Sequence, residues 1–295
     1  MTTLGIEGGL TVDHLVTEGT GTRFRCLGGP GLFAALGALV VAGTQVRLHA
    51  QLPDDEPRFE ALLRRTGVDI RFCLRTPKAL RLWILNSTEG RRILPTSSPD
   101  GLELAGTHLD PDSGDDAGPS GFFEGLDGLL LSSPRLPLHA LKRAPVVGVD
   151  PDQRAAMLLG FDYWMALAEQ ATVLLPSRVQ LRQIHDDARD AARMLATRTG
   201  RPVIARLDSD GLLVIDGGQA WTVQDPEVRV VDTIGAGDAS AAAIVAALAS
   251  GSSLIESAAF GASAARLVLS DWGHDGLLLD GPLTRPYENL ITKEL

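Results

Sequence analysis

The stretch that decides the fold is "VVDTIGAGDASAAAIVAALASG", Val230 to Gly251. Its second half is a long run of small apolar residues, which predicts a helix over roughly Ala236 to Ala249. The residues around its start, "EVRVV", are apolar and β-branched enough to predict a strand. Two glycines around an alanine follow, and an aspartate comes directly after them. The pattern is therefore a strand, a tight turn and a helix that begins beside a carboxylate.

The turn of Gly235, Ala236 and Gly237 predicts an anion-binding site. The first N–H groups of a helix have no partner within the helix, and the helix dipole favours negative charge there. Asp238 has two interpretations on this spacing alone. It is either a helix-terminal acid that stabilises the helix by a fraction of a kcal/mol, or a base that accepts a proton from a hydroxyl attacking a phosphoryl group in the turn.

Composition excludes several classes of protein. The 295 residues carry a formal charge of −10 and no basic run longer than a pair, so nucleic acid is not an expected partner. The only lysines are Lys78, Lys142 and Lys293, and none lies in a P-loop pattern. The first residues carry no charged leader, and the longest apolar run, Leu32 to Gly43, is too short to span a bilayer. We therefore expect a cytoplasmic protein with no membrane partner.

Segments of strand and helix length alternate along most of the chain. Apolar runs such as "TLGIEGGLTV", "TQVRLHAQL", "APVVGVD" and "RPVIARLD" predict buried strands, and the Ala/Leu-rich segments between them predict helices. "GLLVIDGGQAWTV" predicts a hairpin with "DGG" at its turn, and a last helix is predicted over Leu254 to Leu269. This order favours a doubly wound, mostly parallel sheet.

The residues after Asp69 break this alternation. "DIRFCLR", "ALRLWILN" and "RRILPT" predict successive strands joined by short turns, without room for helices between them. They indicate a small antiparallel layer inserted into the α/β domain. The segment Leu109 to Gly121 is rich in Asp, Gly, Pro and Ser, and it predicts a surface loop.

The run "DTIGAGD", Asp232 to Asp238, resembles the D-T-x-G-A-G-D signature of the ribokinase-like PfkB family of carbohydrate, cyclitol and nucleoside kinases. The resemblance implies one α/β domain over residues 1–295, a three-layer α/β/α fold with a mostly parallel central sheet and a small β-sheet lid. The lid strands are expected at about residues 11–27 and 69–96. The resemblance also implies ATP and Mg²⁺ as cofactors, and a monovalent cation such as K⁺ near Asp232. Asp238 is then the catalytic base, and Gly235, Ala236 and Gly237 form the anion hole.

Two further stretches resemble the acceptor-binding part of this family. In "GIEGGLTVDHLV", Asp13 corresponds to the aspartate that binds substrate hydroxyls, although capping of a strand end would explain it as well. In "CLGGPGLFAALGAL", Gly28 and Gly29 correspond to glycines that bring the backbone against the substrate. The asparagine that commonly follows in this signature is absent, so one sugar contact must differ.

The magnesium-organising part of the family pattern is altered. Where the family has an N-x-x-E motif that acts through water, "LLPSRVQL" offers the neutral residues Ser177 and Gln180. "VGVDPDQR" resembles the family's D-x-N-x-R strand end, with Asp152 in the place of the asparagine. The resemblance therefore assigns Ser177 and Gln180 to the metal without a carboxylate.

The phosphate loop is altered as well. "VIARLDSDGLLVI" resembles the family's T-L-G-x-x-G loop, but Arg206 and Asp208 replace its threonine and first glycine, and Gly211 is kept. Arg206 is either a compensating positive charge or a solvated arginine at a strand end. Through the same resemblance, Thr233 of the signature and Ala262 of the adenine-side helix belong to the nucleotide site.

These observations favour an ATP-dependent kinase that transfers the γ-phosphoryl group to a hydroxyl of a sugar, cyclitol or nucleoside. The alternative is a catalytically impaired family member that binds a sugar or nucleoside as a sensor or partner protein, which Ser177, Gln180 and Asp208 suggest. A dinucleotide-dependent oxidoreductase is disfavoured, because "LGGPGLF" lacks the spaced glycine fingerprint. Exposed lid strands favour a homodimer paired through the lid.

Overall fold

The structure of the chain is a computed structural model that describes residues 1–87, 90–96, 121–132, 144–278 and 281–295. Its strands, in chain order, are β1 (Thr2–Glu7), β2 (Thr11–Thr17), β3 (Gly21–Gly28), β4 (Thr44–His49), β5 (Gln51–Pro53), β6 (Leu74–Thr76), β7 (Leu80–Ser87), β8 (Gly90–Thr96), β9 (Gly128–Ser132), β10 (Val146–Asp150), β11 (Val173–Leu174), β12 (Val203–Arg206), β13 (Leu212–Asp216), β14 (Gln219–Gln224) and β15 (Ile291–Glu294). Its α-helices are α1 (Pro30–Leu39), α2 (Arg58–Arg65), α3 (Gln153–Leu159), α4 (Phe161–Gln170), α5 (Arg178–Leu181), α6 (Ala188–Thr199), α7 (Ala236–Ala249) and α8 (Leu254–Leu269).

A nine-stranded sheet forms the centre of the described fold, in the order β15-β14-β13-β12-β11-β10-β9-β1-β4. From β4 to β12 neighbouring strands run parallel, and β13, β14 and β15 continue the sheet antiparallel. The prediction of a mostly parallel sheet is confirmed. Because the carboxyl ends of parallel strands meet at one edge, residues that end β10, β11 and β12 are brought close together.

The sheet separates two apolar cores. In β12, Ile204 packs into the core that contains α1, α7 and α8. Its neighbours Val203 and Ala205 pack into the core that contains α4 and α6. This alternation is the two-residue period of a strand that is covered on both faces. The three-layer α/β/α architecture predicted from the sequence is therefore confirmed.

A separate four-stranded sheet, in the order β3-β2-β7-β8, forms the lid. Its central pair, β2 and β7, runs parallel, so the lid is a mixed sheet and the antiparallel layer expected from the sequence is wrong at this pair. The strand expected over "DIRFCLR" is also shorter than predicted. Only Leu74–Thr76 is extended, and it pairs with β5 outside the lid. Asp69 instead pairs with Arg47 at the edge of the large sheet.

Close packing of α1 against α7 fixes the start of α7. A Cβ atom on Gly37 would lie 2.4 Å from the Cα of Ala239, so only glycine permits this approach. The predicted bounds of α7 and α8, and the "DGG" hairpin turn between β13 and β14, are confirmed. Of the loop predicted at Leu109 to Gly121, all but Gly121 lies outside the described residues. Among the helices that the structure describes, none is long and apolar enough to cross a membrane.

The strand predicted at "EVRVV" is wrong. These residues run as a loop, with the N–H of Val231 donating to the carbonyl of Leu269 at the end of α8 (2.7 Å) and the side chain of Val230 exposed. The reason lies in the sheet order, because β15 near the C-terminus pairs with β14 along the edge where a further strand would have to join. The sequence analysis did not predict β15.

Candidate active site

The turn before α7 requires glycine at its first position. Gly235 has a φ of 78°, in the left-handed region, and a Cβ atom there would lie 2.1 Å from the ring of Phe33 in α1. No side chain caps α7, so the N–H groups at its first positions are left without a side-chain partner. The structure therefore presents the predicted turn as a helix N-terminus that can receive an anion.

Asp238 lies in the first turn of α7 and is half-buried. Loss of hydration raises its pKa to about 7, and the nearby Asp150 carboxylate adds to this, while Arg206 and Arg91 act in the opposite direction. A carboxyl group with a pKa near neutrality can accept a proton from a hydroxyl and release it again. The environment of Asp238 therefore suits a group that exchanges a proton better than it suits a solvated helix-terminal acid.

Three side chains form what we call the phosphate-side cluster: Asp150 at the end of β10, Arg206 at the end of β12, and Gln180 in α5. Arg206 ends β12 and donates from Nη2 to Asp150 Oδ1 at 2.5 Å and to the carbonyl oxygen of Leu175 at 2.7 Å. Both charged residues are buried, so the interpretation of Arg206 as a solvated arginine at a strand end is wrong. Asp150, which ends β10, was missed by the sequence analysis, although it is the first aspartate of the "DPD" run that follows this strand.

Arg206 reaches the anion-binding turn. Its Nη1 lies 2.9 Å from the position that a Cβ atom on Gly237 would occupy, so the guanidinium lies next to the backbone of this turn. Its Nε is buried and has no hydrogen-bond partner among the described residues. A buried guanidinium N–H without an acceptor is costly, and an anion in the turn would reduce that cost.

Ser177 and Gln180 are brought together as a capping box for the short helix α5. Ser177 Oγ accepts a hydrogen bond from the N–H of Gln180, and Gln180 Oε1 accepts one from the N–H of Ser177 at 2.5 Å. Gln180 Nε2 donates to the carbonyl of Pro151 and, at 3.4 Å, to Asp150 Oδ1. Both Oε1 and Nε2 of Gln180 are therefore used in hydrogen bonds that stabilise the loops around the phosphate-side cluster.

The phosphate loop is held by an arginine that the sequence analysis did not single out. Arg178 forms ion pairs with Asp208 (2.9 Å) and Asp210 (2.8 Å), and it also donates to the carbonyl of Leu207. Asp208 is exposed and has a φ of 50°, which is uncommon for a residue other than glycine. Gly211 is required, because its φ is 77° and a Cβ atom would lie 2.3 Å from the carbonyl oxygen of Val223.

The predicted acceptor residues Asp13, Gly28 and Gly29 form a second group, the acceptor cluster. Asp13 lies inside β2 rather than at its end, so strand-end capping does not explain it. A Cβ atom on Gly28 would lie 2.0 Å from Asp13 Oδ2, and one on Gly29, whose φ is 93°, would lie 2.6 Å from the carbonyl oxygen of Gly9. Any side chain at position 28 or 29 would therefore collide with neighbouring atoms, so both positions require glycine.

Asp13 is almost fully buried, and its Oδ1 has no hydrogen-bond partner among the described residues. Burial raises its pKa to about 7; a hydrogen bond with Thr11 lowers the pKa, and the charge of Asp232 raises it further. An unpartnered oxygen on a buried carboxyl group is suited to accept a hydrogen bond from a ligand hydroxyl.

Asp232 joins the signature to the loop after α8. Its Oδ1 accepts the N–H of Ile234 at 3.2 Å and its Oδ2 accepts the N–H of Gly273 at 3.1 Å. The carboxylate is buried, and burial raises its pKa. Next to it, the exposed Thr233 accepts a hydrogen bond from Arg91 Nη2 at 3.2 Å. Arg91 belongs to β8, so the lid reaches the signature through a residue that the sequence analysis did not single out.

Ala262 and the metal assignments complete the predicted site. Ala262 is buried within α8 and presents no polar side-chain group. Within the described ranges, no group of three or more His, Cys, Asp or Glu side chains is arranged to hold a metal ion.

A model of the pfkB family carbohydrate kinases matches residues 27–276. The chain belongs to this family. The match covers Gly28 and Gly29, the phosphate-side cluster and the whole "DTIGAGD" signature. Asp13 lies outside the matched range.

Curated relatives match over shorter segments. An uncharacterized sugar kinase of Escherichia coli is 28% identical over 131 residues, which are 44% of this chain and 40% of the relative. A 1-phosphofructokinase of Haloferax volcanii is 32% identical over 103 residues, which are 32% of this chain and 34% of the relative. The aligned part of the chain thus spans less than half the length of either protein.

Solved structures match over almost the whole chain. A fructokinase double mutant of Vibrio cholerae, in a form bound to fructose, ADP and potassium ion, has a TM-score of 0.73 at 16% identity, covering 94% of this chain and 95% of that one. A nucleoside kinase of Methanocaldococcus jannaschii, an archaeal member of the ribokinase family, has a TM-score of 0.68 at 15% identity, covering 96% of both chains. At these identities the likeness establishes the ribokinase fold.

Proposed function

We propose that the protein is an ATP-dependent kinase that transfers the γ-phosphoryl group to a hydroxyl of a sugar, cyclitol or nucleoside. The observation that carries the proposal is the position of Asp238, a carboxyl group with a pKa near 7, in the first turn of α7 beside uncapped N–H groups. Membership of the pfkB carbohydrate kinase family supports it. The fructokinase neighbour bound to fructose and ADP has the same fold, which also supports it.

In this mechanism Asp238 accepts the proton of the acceptor hydroxyl as its oxygen attacks the γ-phosphorus. A bond forms between that oxygen and phosphorus, the bond from phosphorus to the β–γ bridging oxygen breaks, and ADP leaves. Gly235, Ala236 and Gly237 stabilise the charge on the transferring group through their N–H groups. Asp13, Gly28 and Gly29 hold the acceptor, with the unpartnered Oδ1 of Asp13 accepting a hydrogen bond from a hydroxyl.

Arg206 takes part in phosphate binding in this proposal. The guanidinium lies under the anion-binding turn with Nε unsatisfied, and Asp150 and the carbonyl of Leu175 hold it in place. A fixed positive charge in a poorly hydrated site stabilises phosphoryl oxygens more than a charge in water does. Thr233, Gly211 and Ala262 would line the rest of the nucleotide site, whereas Asp208 shares Arg178 with Asp210.

The residues present fit a protein-bound Mg²⁺ poorly at the position expected from the family. Ser177 and Gln180 use their oxygens in the capping box, and the nearest carboxylate, Asp150, is paired with Arg206. We therefore propose that Mg²⁺ arrives with ATP and is held mainly by the phosphates. Asp232 fits a monovalent cation better, because it is a buried carboxylate that accepts hydrogen bonds from the backbone N–H groups of Ile234 and Gly273.

The second candidate function is that of a non-catalytic sensor for a sugar or nucleoside. Asp208 and Asp210 favour it, because they are two acidic residues in the loop that the resemblance assigns to phosphate binding. The test is a coupled ADP-release screen with pentoses, hexoses, inositols and nucleosides, run in parallel on wild type and Asp238→Asn. Turnover with one acceptor that depends on Asp238 supports the kinase. Tight acceptor binding without ADP release from any compound would support the sensor.

Association through the lid is also part of the proposal. Phe24, Ile93 and Leu94 are large apolar side chains that the lid leaves exposed. Exposed apolar residues on open strands favour pairing with a second copy of the chain. Sedimentation of wild type and of Ile93→Lys tests this: a dimer that becomes a monomer in the variant supports lid pairing, and a monomeric wild type refutes it.

A further inference from the structure

A cavity of about 460 Å³ lies between β3, α2 and the segment Trp272–Asp275. None of the residues assigned above to catalysis, acceptor binding or nucleotide binding lines it. It is nevertheless adjacent to them, because Cys26 in its wall lies opposite Asp13 in the β2–β3 ladder. The N–H of Gly273, also in the wall, donates to Asp232.

The cavity is lined by four arginines from two elements: Arg23 and Arg25 of β3, and Arg58 and Arg65 of α2. Glu56 is shared between Arg25 (3.8 Å) and Arg58 (2.6 Å). In the part of the chain that the structure describes, neither Arg23 nor Arg65 forms an ion pair with a carboxylate. Such a concentration of positive charge in a chain of formal charge −10 attracts an anion.

The backbone of β3 is strained where it enters the cavity. Arg25 has a φ of 55°, and the register between β2 and β3 shifts at this point. Arg58 Nη2 donates to the carbonyl oxygen of Arg25 at 3.0 Å and so holds this conformation. A bulge turns side chains away from the regular alternation of a strand, and strained residues are kept where the surrounding structure requires them. Arg23 and Arg25 both line the cavity, together with the other residues from Phe24 to Leu27 of the same strand.

The remaining walls are suited to a small organic body. The half-buried Trp272 presents its ring, with the guanidinium of Arg23 5.9 Å from the ring centroid. Leu27 and Leu62 add apolar surface on either side. The cavity therefore combines guanidinium groups, which match the geometry of phosphate oxygens, with an aromatic surface against which a sugar or a base can pack.

We propose that this cavity is a second ligand site, which binds a phosphate dianion, either free or esterified to a small metabolite. Arg23 and Arg65 supply the charge that no carboxylate in the described structure neutralises. Arg25 and Arg58 exchange part of their contact with Glu56 for contact with the ligand. The site does not depend on kinase activity, since its residues are separate from those proposed for catalysis.

Calorimetric titration at low ionic strength tests the site directly. Inorganic phosphate, ribose 5-phosphate and AMP are titrated into wild type, Arg23→Gln, Arg65→Gln and Arg64→Gln. Arg64 is the matched control, because it is the neighbour of Arg65 on α2, pairs with Glu60 and does not line the cavity. We expect one site per chain, a Kd at least about tenfold weaker in Arg23→Gln and Arg65→Gln, and an unchanged Kd in Arg64→Gln.

The three ligands distinguish the sources of the phosphate. Equal affinity for all three indicates free phosphate, and tighter binding of AMP, with a change in tryptophan fluorescence lost in Trp272→Leu, indicates an esterified ligand packed on Trp272. Arg206→Gln separates this site from the nucleotide site, and it should leave binding to the cavity unchanged. The proposal is wrong if no ligand binds up to 10 mM, on the order of metabolite concentrations. It is equally wrong if Arg65→Gln and Arg64→Gln bind alike.

Discussion

The acceptor cluster and the phosphate-side cluster are two halves of one candidate site, and they are built on different principles. Asp13, Gly28 and Gly29 fit each other by shape: a single added methyl group on either glycine would collide with neighbouring atoms. Asp150, Gln180 and Arg206 are held by charge and hydrogen bonds, with an ion pair of 2.5 Å at the centre. The first half tolerates little change, whereas the second half is where the sequence resemblance indicates departures from the family pattern.

The comparison teaches how a site can change without losing its architecture. Steric fit between backbone segments leaves no alternative side chain, so the glycine pattern is kept. Charge, in contrast, is supplied from any element that reaches the site, because electrostatic interactions extend over several ångströms. Arg206 at the end of β12 can therefore offset the carboxylate that Gln180 does not provide. The predictions below test this division, starting with the residue on which both halves depend.

The largest effect is expected for Asp238→Asn. The amide keeps the shape of the side chain but cannot accept a proton, so kcat should fall by about 10² or more, with both KM values within a few-fold of wild type. Asp216→Asn, at the exposed end of β13, is the matched control and should retain activity. Steady-state kinetics over both substrates provide the measurement, and near-wild-type turnover in Asp238→Asn would remove this residue from the mechanism.

Arg206→Gln tests the charge-based half. Removing the guanidinium should lower kcat/KM for ATP about 30-fold and raise the free Mg²⁺ concentration needed for half-maximal rate, because the phosphates lose a fixed positive charge. The single variant also leaves Asp150 buried without its partner, which costs about 3 kcal/mol of stability. A loss of activity could then reflect poor folding alone.

The double variant Asp150→Asn/Arg206→Gln separates these causes. It removes both buried charges, so its free energy of unfolding should return most of the way to that of wild type. Its kcat/KM for ATP should stay low, because the positive charge is still missing. Recovery of activity together with stability would mean that Arg206 only supports the fold. Arg201→Gln, which loses a hydrogen bond to the carbonyl of Ala168 elsewhere in the fold, is the control for losing an arginine.

Asp13→Ala tests the shape-based half and should give a smaller effect. The variant loses the buried oxygen that has no partner in the described structure, so KM for the acceptor should rise about tenfold, while KM for ATP stays within twofold. The ATP value serves as the internal control. If the variant binds ATP more weakly but binds the acceptor as wild type does, the proposal has assigned the acceptor side and the ATP side of the site the wrong way round.

The sequence analysis named all three residues of the shape-based half, and in the charge-based half it named Gln180 and Arg206 but missed Asp150. Gly235 and the bounds of α7 follow from a local pattern, because glycine at a turn and alanine in a helix act within a few residues. Gly28 and Gly29 were assigned through the family resemblance. Asp150 and Arg206 are 56 residues apart, and their pairing depends on the parallel strand order, which no local pattern contains. The same reason explains the missed β15 and the wrong strand at "EVRVV", since both depend on which segment reaches the edge of the sheet.

Arg91 and Arg178 were missed for a related reason. A surface arginine gives no sequence signal until the fold shows what it faces: Thr233 for Arg91, and the acids of the phosphate loop for Arg178. The sequence analysis assigned Ser177 and Gln180 to the metal. It did not predict that their oxygens would be used within the capping box, because that depends on the rotamers that the loop permits.

The smallest expected effect concerns stability as a function of pH. Folding raises the pKa of Asp13 and of Asp238 from 3.8 to about 7, so between these values the folded chain holds more protons than the unfolded chain. Stability therefore falls as the pH rises through this window, and the cost is absent below about pH 4 and complete above about pH 7.

Replacing either carboxyl by an amide removes the cost. Asp13→Asn and Asp238→Asn should thus each raise Tm relative to wild type by a few °C more at pH 8 than at pH 4. Thermal unfolding at both pH values measures the difference, with Asp216→Asn showing the effect of losing an exposed charge. A larger gain at pH 4 than at pH 8 would mean that these carboxylates are stabilised as anions in the folded chain, and it would count against Asp238 as a base that titrates near neutrality.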